Sequence, residues 1–150
     1  MNHWLVKSEP DEFSIDALAR VGVEPWSGVR NYQARNHLRA MQVGDGLLFY
    51  HSSCAVPGVV GVARVAKAAY ADPTQFDPRS DYHDAKSDPA EPRWSAVDVA
   101  FVRKLARAIT LDELRAQAGK LGDFALLNRG NRLSVLPLSA RQWKIILSLE

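Results

Sequence analysis

The spacing of the extended runs constrains this chain most. Leu47 to His51 is a compact apolar run, and Gly58 to Val65 is rich in β-branched residues. Only Ser52 to Pro57 lies between them, too little for a helical crossover, so Leu47–Tyr50 and Val59–Val65 are expected as neighbouring strands of one curved sheet. Asn2 to Lys7, Val97 to Ala106 and Asn131 to Leu136 read as further strands, the last ended by Pro137. Val23 to Val29, with Trp26 and Gly28, reads as a loop. The Pro- and acid-rich stretch Asp72 to Arg93 is too long for an ordinary connection and reads as a functional or partly helical loop.

Helices are marked by their starts. Ser14 can cap a short helix to about Arg20, and Asn31 can open one to about Met41 with Ala34, Leu38 and Met41 on one face. Thr110/Glu113 and Ser139/Gln142 have capping-box spacing, each with a hydrophobic staple, Ile109 with Leu114 and Leu138 with Trp143. The order β, α, α, β, β, loop, β, α, β, α makes a compact mixed α+β barrel the expected architecture, not a doubly wound parallel sheet.

At 150 residues one domain over 1–150 is expected, with roughly 70% of the unfolded surface buried. Cys54 is the single cysteine, which excludes an intrachain disulfide and a cysteine-based zinc site. The amino-terminal residues do not read as a signal peptide, and no apolar run approaches the roughly 20 residues that span a bilayer. A monomer of the cytoplasm, or of the nucleus in a eukaryote, with no membrane partner is the expectation. Net charge is only +2, but residues 28–68 and 99–150 are basic while 1–27 and 69–98 are acidic. Thirteen of the nineteen basic residues are Arg, suited to bidentate phosphate contacts, so the basic segments can form one face for a polyanion. A solvated mixture of charges is the alternative.

Two long motifs, Trp4-Leu5-Val6-Lys7-Ser8-Glu9-Pro10-Asp11-Glu12-Phe13-Ser14 and Trp26-Ser27-Gly28-Val29-Arg30-Asn31-Tyr32-Gln33-Ala34-Arg35-Asn36, resemble the opening of the EVE domain family. Gly44-Asp45, Phe49-Tyr50-His51-Ser52, Pro57 to Gly61, Asp72 to Asp77, Pro92-Arg93-Trp94, Val97-Asp98-Val99 and Arg132 to Val135 continue the likeness in order. The resemblance implies a PUA-like curved β-barrel with peripheral helices, and binding of nucleic acid that carries a modified base. Modified DNA is the expected partner, with modified RNA or a protein partner as alternatives. No cofactor or metal is implied.

An extruded base needs flat faces to stack on and a few polar groups to read its edge. Trp4, Trp26, Tyr32, Tyr82 and Trp94 are the candidate faces, with core packing as the competing role; Trp143 and Phe101 are assigned to the core. Trp26, in its Gly/Ser context, is the leading candidate. Ser8, Asn31, Gln33 and Asn36 can hydrogen-bond a base edge, although Asn31 can equally serve as a helix cap. Arg30 and Arg35 at a helix start, and Arg79 in the long loop, can meet phosphates, while Lys7 and Val29 complete the set from within the two motifs.

Catalysis finds less support. His51-Ser52-Ser53-Cys54 offers nucleophile types, but no nucleophile elbow, P-loop or dinucleotide fingerprint accompanies it. His51, at an apolar strand end, is expected to be a hydrogen-bonded structural histidine. Asp81-Tyr82-His83-Asp84 has metal-ligand types without a second cluster at recognisable spacing. No catalytic residue is assigned.

Overall fold

The computed structural model describes residues 1–150. Its centre is a six-stranded sheet in the order β2-β5-β4-β3-β1-β6. The strands are β1 (His3–Ser8), β2 (Val23–Trp26), β3 (Gly46–His51), β4 (Gly58–Ala71), β5 (Ser95–Thr110) and β6 (Val135–Leu138). β3 pairs with β4 as the spacing of their runs demands, antiparallel and with a register shift at Phe49/Tyr50. β4 and β5 pair antiparallel along most of their length through four register shifts, the irregularities that bend a sheet. β1 lies parallel to β3 and antiparallel to β6.

The mixed α+β class is as expected, but the sheet stays open: β2 and β6 are edges and do not pair with each other. Each edge carries a proline, Pro25 in β2 and Pro137 in β6, where a missing N–H facing outward costs no ladder bond. That explains two corrections. Val23–Trp26 is a strand, not a loop, and β6 runs through Pro137 instead of ending before it, beginning only at Val135.

The helices are α1 (Ile15–Val21), α2 (Tyr32–Ala40), α3 (Leu111–Ala116), α4 (Ala118–Leu121) and α5 (Ala140–Ser148). Ser14 and Asn31 cap α1 and α2 by accepting from the amides of Ala17 and Ala34. Ser139 and Gln142 close a full capping box on α5. On α3 only half the box forms: Thr110 accepts from the Glu113 amide, while the Glu113 carboxylate turns to Arg107 at 2.7 Å. The long stretch after β4 begins with a 3-10 turn over Pro73–Phe76, in keeping with a partly helical loop.

One hydrophobic cluster of 31 buried residues joins the sheet to α1, α2 and α5. Trp143 and Phe101 pack against this cluster, each partly buried. Gly61 lets α1 settle on β4, since a Cβ there would stand 2.3 Å from the Ile15 side chain. At the same end His51 accepts the Ile15 N–H through Nε2 at 3.1 Å, so it is the structural histidine expected. Burial lowers its pKa, which keeps the accepting nitrogen unprotonated.

Candidate nucleic-acid interface

Parallel pairing sets Ser8 of β1 beside His51 of β3, so both strands finish at one end of the sheet. An open cleft of about 690 Å³ lies there, lined from β1 by Lys7 and Ser8 and from β2 by Glu24 and Trp26. Residues 28–30, Tyr82, the β3–β4 turn at Ser52 and Ser53, and Arg132 complete the walls. Strand alternation puts Glu24 and Trp26 on the same face of β2. Trp26 is 9% exposed and meets Phe49 and Phe13 edge-on, with ring centroids 5.5 Å and 6.2 Å away. It is a rigid floor anchored in the core, not the indole of a mobile loop.

A second aromatic of the lining is Tyr82, 43% exposed, and two features hold it at the cleft. Gly28 has φ +83°, and a Cβ there would stand 2.9 Å from the Tyr82 ring, so only glycine allows this approach without displacement. Arg30 secures the segment itself: its Nε and Nη2 donate to the Tyr82 carbonyl at 3.1 and 2.7 Å. The same guanidinium donates to Asp72 and to the Val29 carbonyl through Nη1, and to Thr74 through Nη2.

Asp72 is fully buried and accepts four hydrogen bonds, from the amides of Gly28 and Thr74, the Thr74 hydroxyl and Arg30. Burial pushes its pKa up, but these donors outweigh burial and hold it below the ordinary carboxylate value. Gln75 is buried beside it with its amide fully engaged, donating to the carbonyls of Asp72 and Trp94 and accepting from Ser87 and the Trp94 amide. The 72–94 segment is thereby tied to the connection between β2 and α2, and cross-linked to itself, by polar contacts.

Charge in the cleft is mixed. Lys7 and Arg132 share its lining with Glu9, Glu12 and Glu24. Burial lowers the Lys7 pKa and raises that of Glu24, both by disfavouring the charged form. Ser8 donates its proton to the Phe13 carbonyl, leaving its oxygen free to accept.

Of the fourteen residues singled out from sequence, Lys7, Ser8, Trp26, Val29, Arg30 and Tyr82 line this cleft. Arg30 spends its donors inside the protein and so acts as a strut. The remaining eight lie outside the cleft lining. Trp4 is buried and donates its indole N–H to Asp45, and Trp94 is buried and donates to Asp84. Tyr32 stacks on Trp94 at 4.8 Å beneath the Arg35 guanidinium. Asn31 is the α2 cap, Asn36 accepts from Arg35, and Gln33 is exposed on α2. Arg79 is 93% exposed at its side chain and pairs loosely with Asp77.

The cleft residues not singled out, chiefly Glu24, Ser52, Ser53 and Arg132, arrive from β2 and two turns remote in sequence. Ser53 has a positive φ of 52°, unusual for a non-glycine residue, and no sequence signal marks it. Arg132 does stand in the Arg132–Val135 motif, which was the available signal.

Residues 2–149 match the EVE domain over nearly the full length of the chain. The chain belongs to the EVE domain family. Mouse thymocyte nuclear protein 1 is 44% identical over 167 residues, an alignment spanning 99% of this chain and 74% of that protein. A Pseudomonas putida crystal structure is 56% identical, covers 98% of each chain and superposes with a TM-score of 0.95. Human THYN1, solved in complex with 5-methylcytosine-containing DNA, is 41% identical with a TM-score of 0.95 over 99% of this EVE chain and 97% of that one. No helix of the chain is long and apolar enough to cross a membrane.

Proposed function

We propose that this EVE domain, acting as one unit over residues 1–150, is a non-enzymatic reader of modified DNA that takes an extruded modified base into the cleft. The observation that carries the reading is the close superposition on the human protein solved with 5-methylcytosine-containing DNA. The cleft volume of about 690 Å³ falls within the range of pockets that enclose small ligands. Extrusion of a base costs a few kcal/mol, and stacking returns roughly 1–3 kcal/mol per aromatic contact. Trp26 supplies a buried face anchored in the core and Tyr82 a more exposed one held by Gly28 and Arg30. Lys7 and Arg132 draw the polyanion, while Ser8 and Glu24 offer acceptors to the base edge.

His51 is engaged with the Ile15 amide rather than with a nucleophile, and Asp84 is engaged by Trp94, which supports a binding role over a catalytic one. No three His, Cys, Asp or Glu side chains are grouped to hold a metal. We place the protein in the cytoplasm, or in the nucleus of a eukaryote, as a monomer, with modified RNA or a protein partner as the competing ligand.

The test is titration against matched DNA oligonucleotides carrying cytosine, 5-methylcytosine, 5-hydroxymethylcytosine, adenine or N6-methyladenine, with an RNA version of the tightest. One modified DNA should bind severalfold tighter than its unmodified match, and mass spectrometry should find every nucleoside unchanged. Equal affinity across the panel would overturn the reading, and turnover of a base would replace it with catalysis.

A further inference from the structure

A second groove, of about 610 Å³, lies between α2 and the end of the 72–94 segment. It is lined by Arg35 and Arg39 from α2, by Lys86 and Arg93 across from them, and by Asp88 and Glu91. Four cations against two carboxylates make it positive. Arg35 and Arg39 stand one helical turn apart, where like charges repel. Both guanidiniums are nonetheless drawn to one point, the Arg93 carbonyl, at 3.1 Å from Arg35 and 3.3 Å from Arg39. Arg39 also donates to the Pro92 carbonyl at 3.2 Å and the Ser95 hydroxyl at 2.9 Å.

These acceptors are neutral. The ion pairs of the chain engage Arg30, Arg79, Arg93, Arg103, Lys104, Arg107 and Arg115, and neither Arg35 nor Arg39 is among them. Burial first, and then the neighbouring Arg39 charge, pull the Arg35 pKa down. Two guanidiniums are therefore fixed side by side with no anion between them. The Arg39 Nη1 group makes no hydrogen bond within the protein, and Arg35 is held in place over Tyr32 at 4.7 Å. A fixed guanidinium pair with spare donors suits an oxyanion with several acceptor oxygens.

We infer that this groove binds the sugar–phosphate backbone of nucleic acid, holding a phosphate on Arg35 and Arg39 apart from the base cleft. The assignment rests on the nucleic-acid reading, and the structure connects the two sites. Tyr32 beneath Arg35 stacks on Trp94, and Arg30 lies 5.4 Å from the Trp94 ring and 5.7 Å from the Tyr82 ring that walls the cleft. A strand delivering its base to the cleft can thus rest a phosphate further along its backbone on the groove. Contacts of this kind position a nucleic acid without reading its sequence.

The experiment compares the parent protein with Arg39→Gln and Arg39→Lys against modified and unmodified oligonucleotides at several salt concentrations. Arg39→Gln should weaken both ligands alike, severalfold at low salt, and lower the slope of log affinity against log salt by about one unit. Preference for the modified base should not change, and Arg39→Lys should recover the slope. Lys86→Met, at an exposed position remote from the core, should act in the same direction and guards against loss of folding in the Arg39 variants. An unchanged slope in folded Arg39→Gln and in Lys86→Met overturns the inference. So does inorganic phosphate binding, at constant ionic strength, that Arg39→Gln abolishes while oligonucleotide affinity is untouched, since the site would then serve free anions. Failure of the parent to prefer any modified base would sink the base-reading proposal alone, because the slope is measured on unmodified DNA as well.

Discussion

Replacing Asp72 with Ala should both destabilise the protein and loosen the wall of the cleft. The carboxylate is wholly buried, and its partner Arg30 retains 22% side-chain exposure. Removing one member of a buried ion pair costs about 3–5 kcal/mol, since the other charge is left without compensation. Water can still reach Arg30, which moves the expectation to the lower end, about 3 kcal/mol. The amides of Gly28 and Thr74 lose their acceptor too, so little of that cost is recovered by relaxation. With a urea m-value of about 1–3 kcal/mol/M, the unfolding midpoint should fall by roughly 1–3 M. The acid limb provides a second readout. The folded pKa of Asp72 lies below its unfolded value, so its stabilisation is present above the unfolded pKa, about 3.9, and is lost as pH falls through the folded value. Asp72→Ala should therefore lose stability at neutral pH and show a flatter decline in acid. Preference for modified DNA should fall, because Arg30 and Gly28 no longer hold Tyr82 in place. A folded variant within about 1 kcal/mol of the parent would refute the view that Asp72 anchors this segment.

Tyr82→Ala should leave stability nearly intact, as the ring is 43% exposed, while lowering discrimination for modified over unmodified DNA by about 1–3 kcal/mol in paired fluorescence titrations. Gly28→Ala combines a left-handed backbone, worth about 1–2 kcal/mol for a non-glycine residue, with displacement of Tyr82; thermal unfolding and base preference should both decline. His51 has a folded pKa below 6.5, so its contribution is present above that value and lost as pH falls through the folded one. The parent should then melt at lower temperature at pH 5.5 than at pH 7.5, and His51→Gln should narrow that difference without altering DNA affinity.

Local signals in this chain proved readable wherever one residue type does one local job. Ser14, Asn31, Thr110 and Ser139 cap helices because their side-chain oxygens meet amides three residues on, a contact that needs no tertiary partner. The β-branched run Gly58–Val65 lies in β4 next to β3 because no helix fits the six residues between. The two opening motifs likewise identified the family, since their order and length are properties of sequence alone. Edge strands were harder to see: Pro25 and Pro137 look like breakers until the sheet shows that their missing N–H groups face outward. The roles of Trp26 and Arg30 were decided by folding. Trp26 is a cleft floor because Phe13 and Phe49, one far along the chain, close on its edges, and Arg30 is a strut because Asp72 and Tyr82 return to it across more than forty residues. Arg35 and Arg39 are fixed side by side only because the Arg93 carbonyl arrives between them. Caps and periodicity depend on neighbours within a few residues, whereas a cleft depends on which distant strands and turns meet, and that is set by the packing of the whole chain.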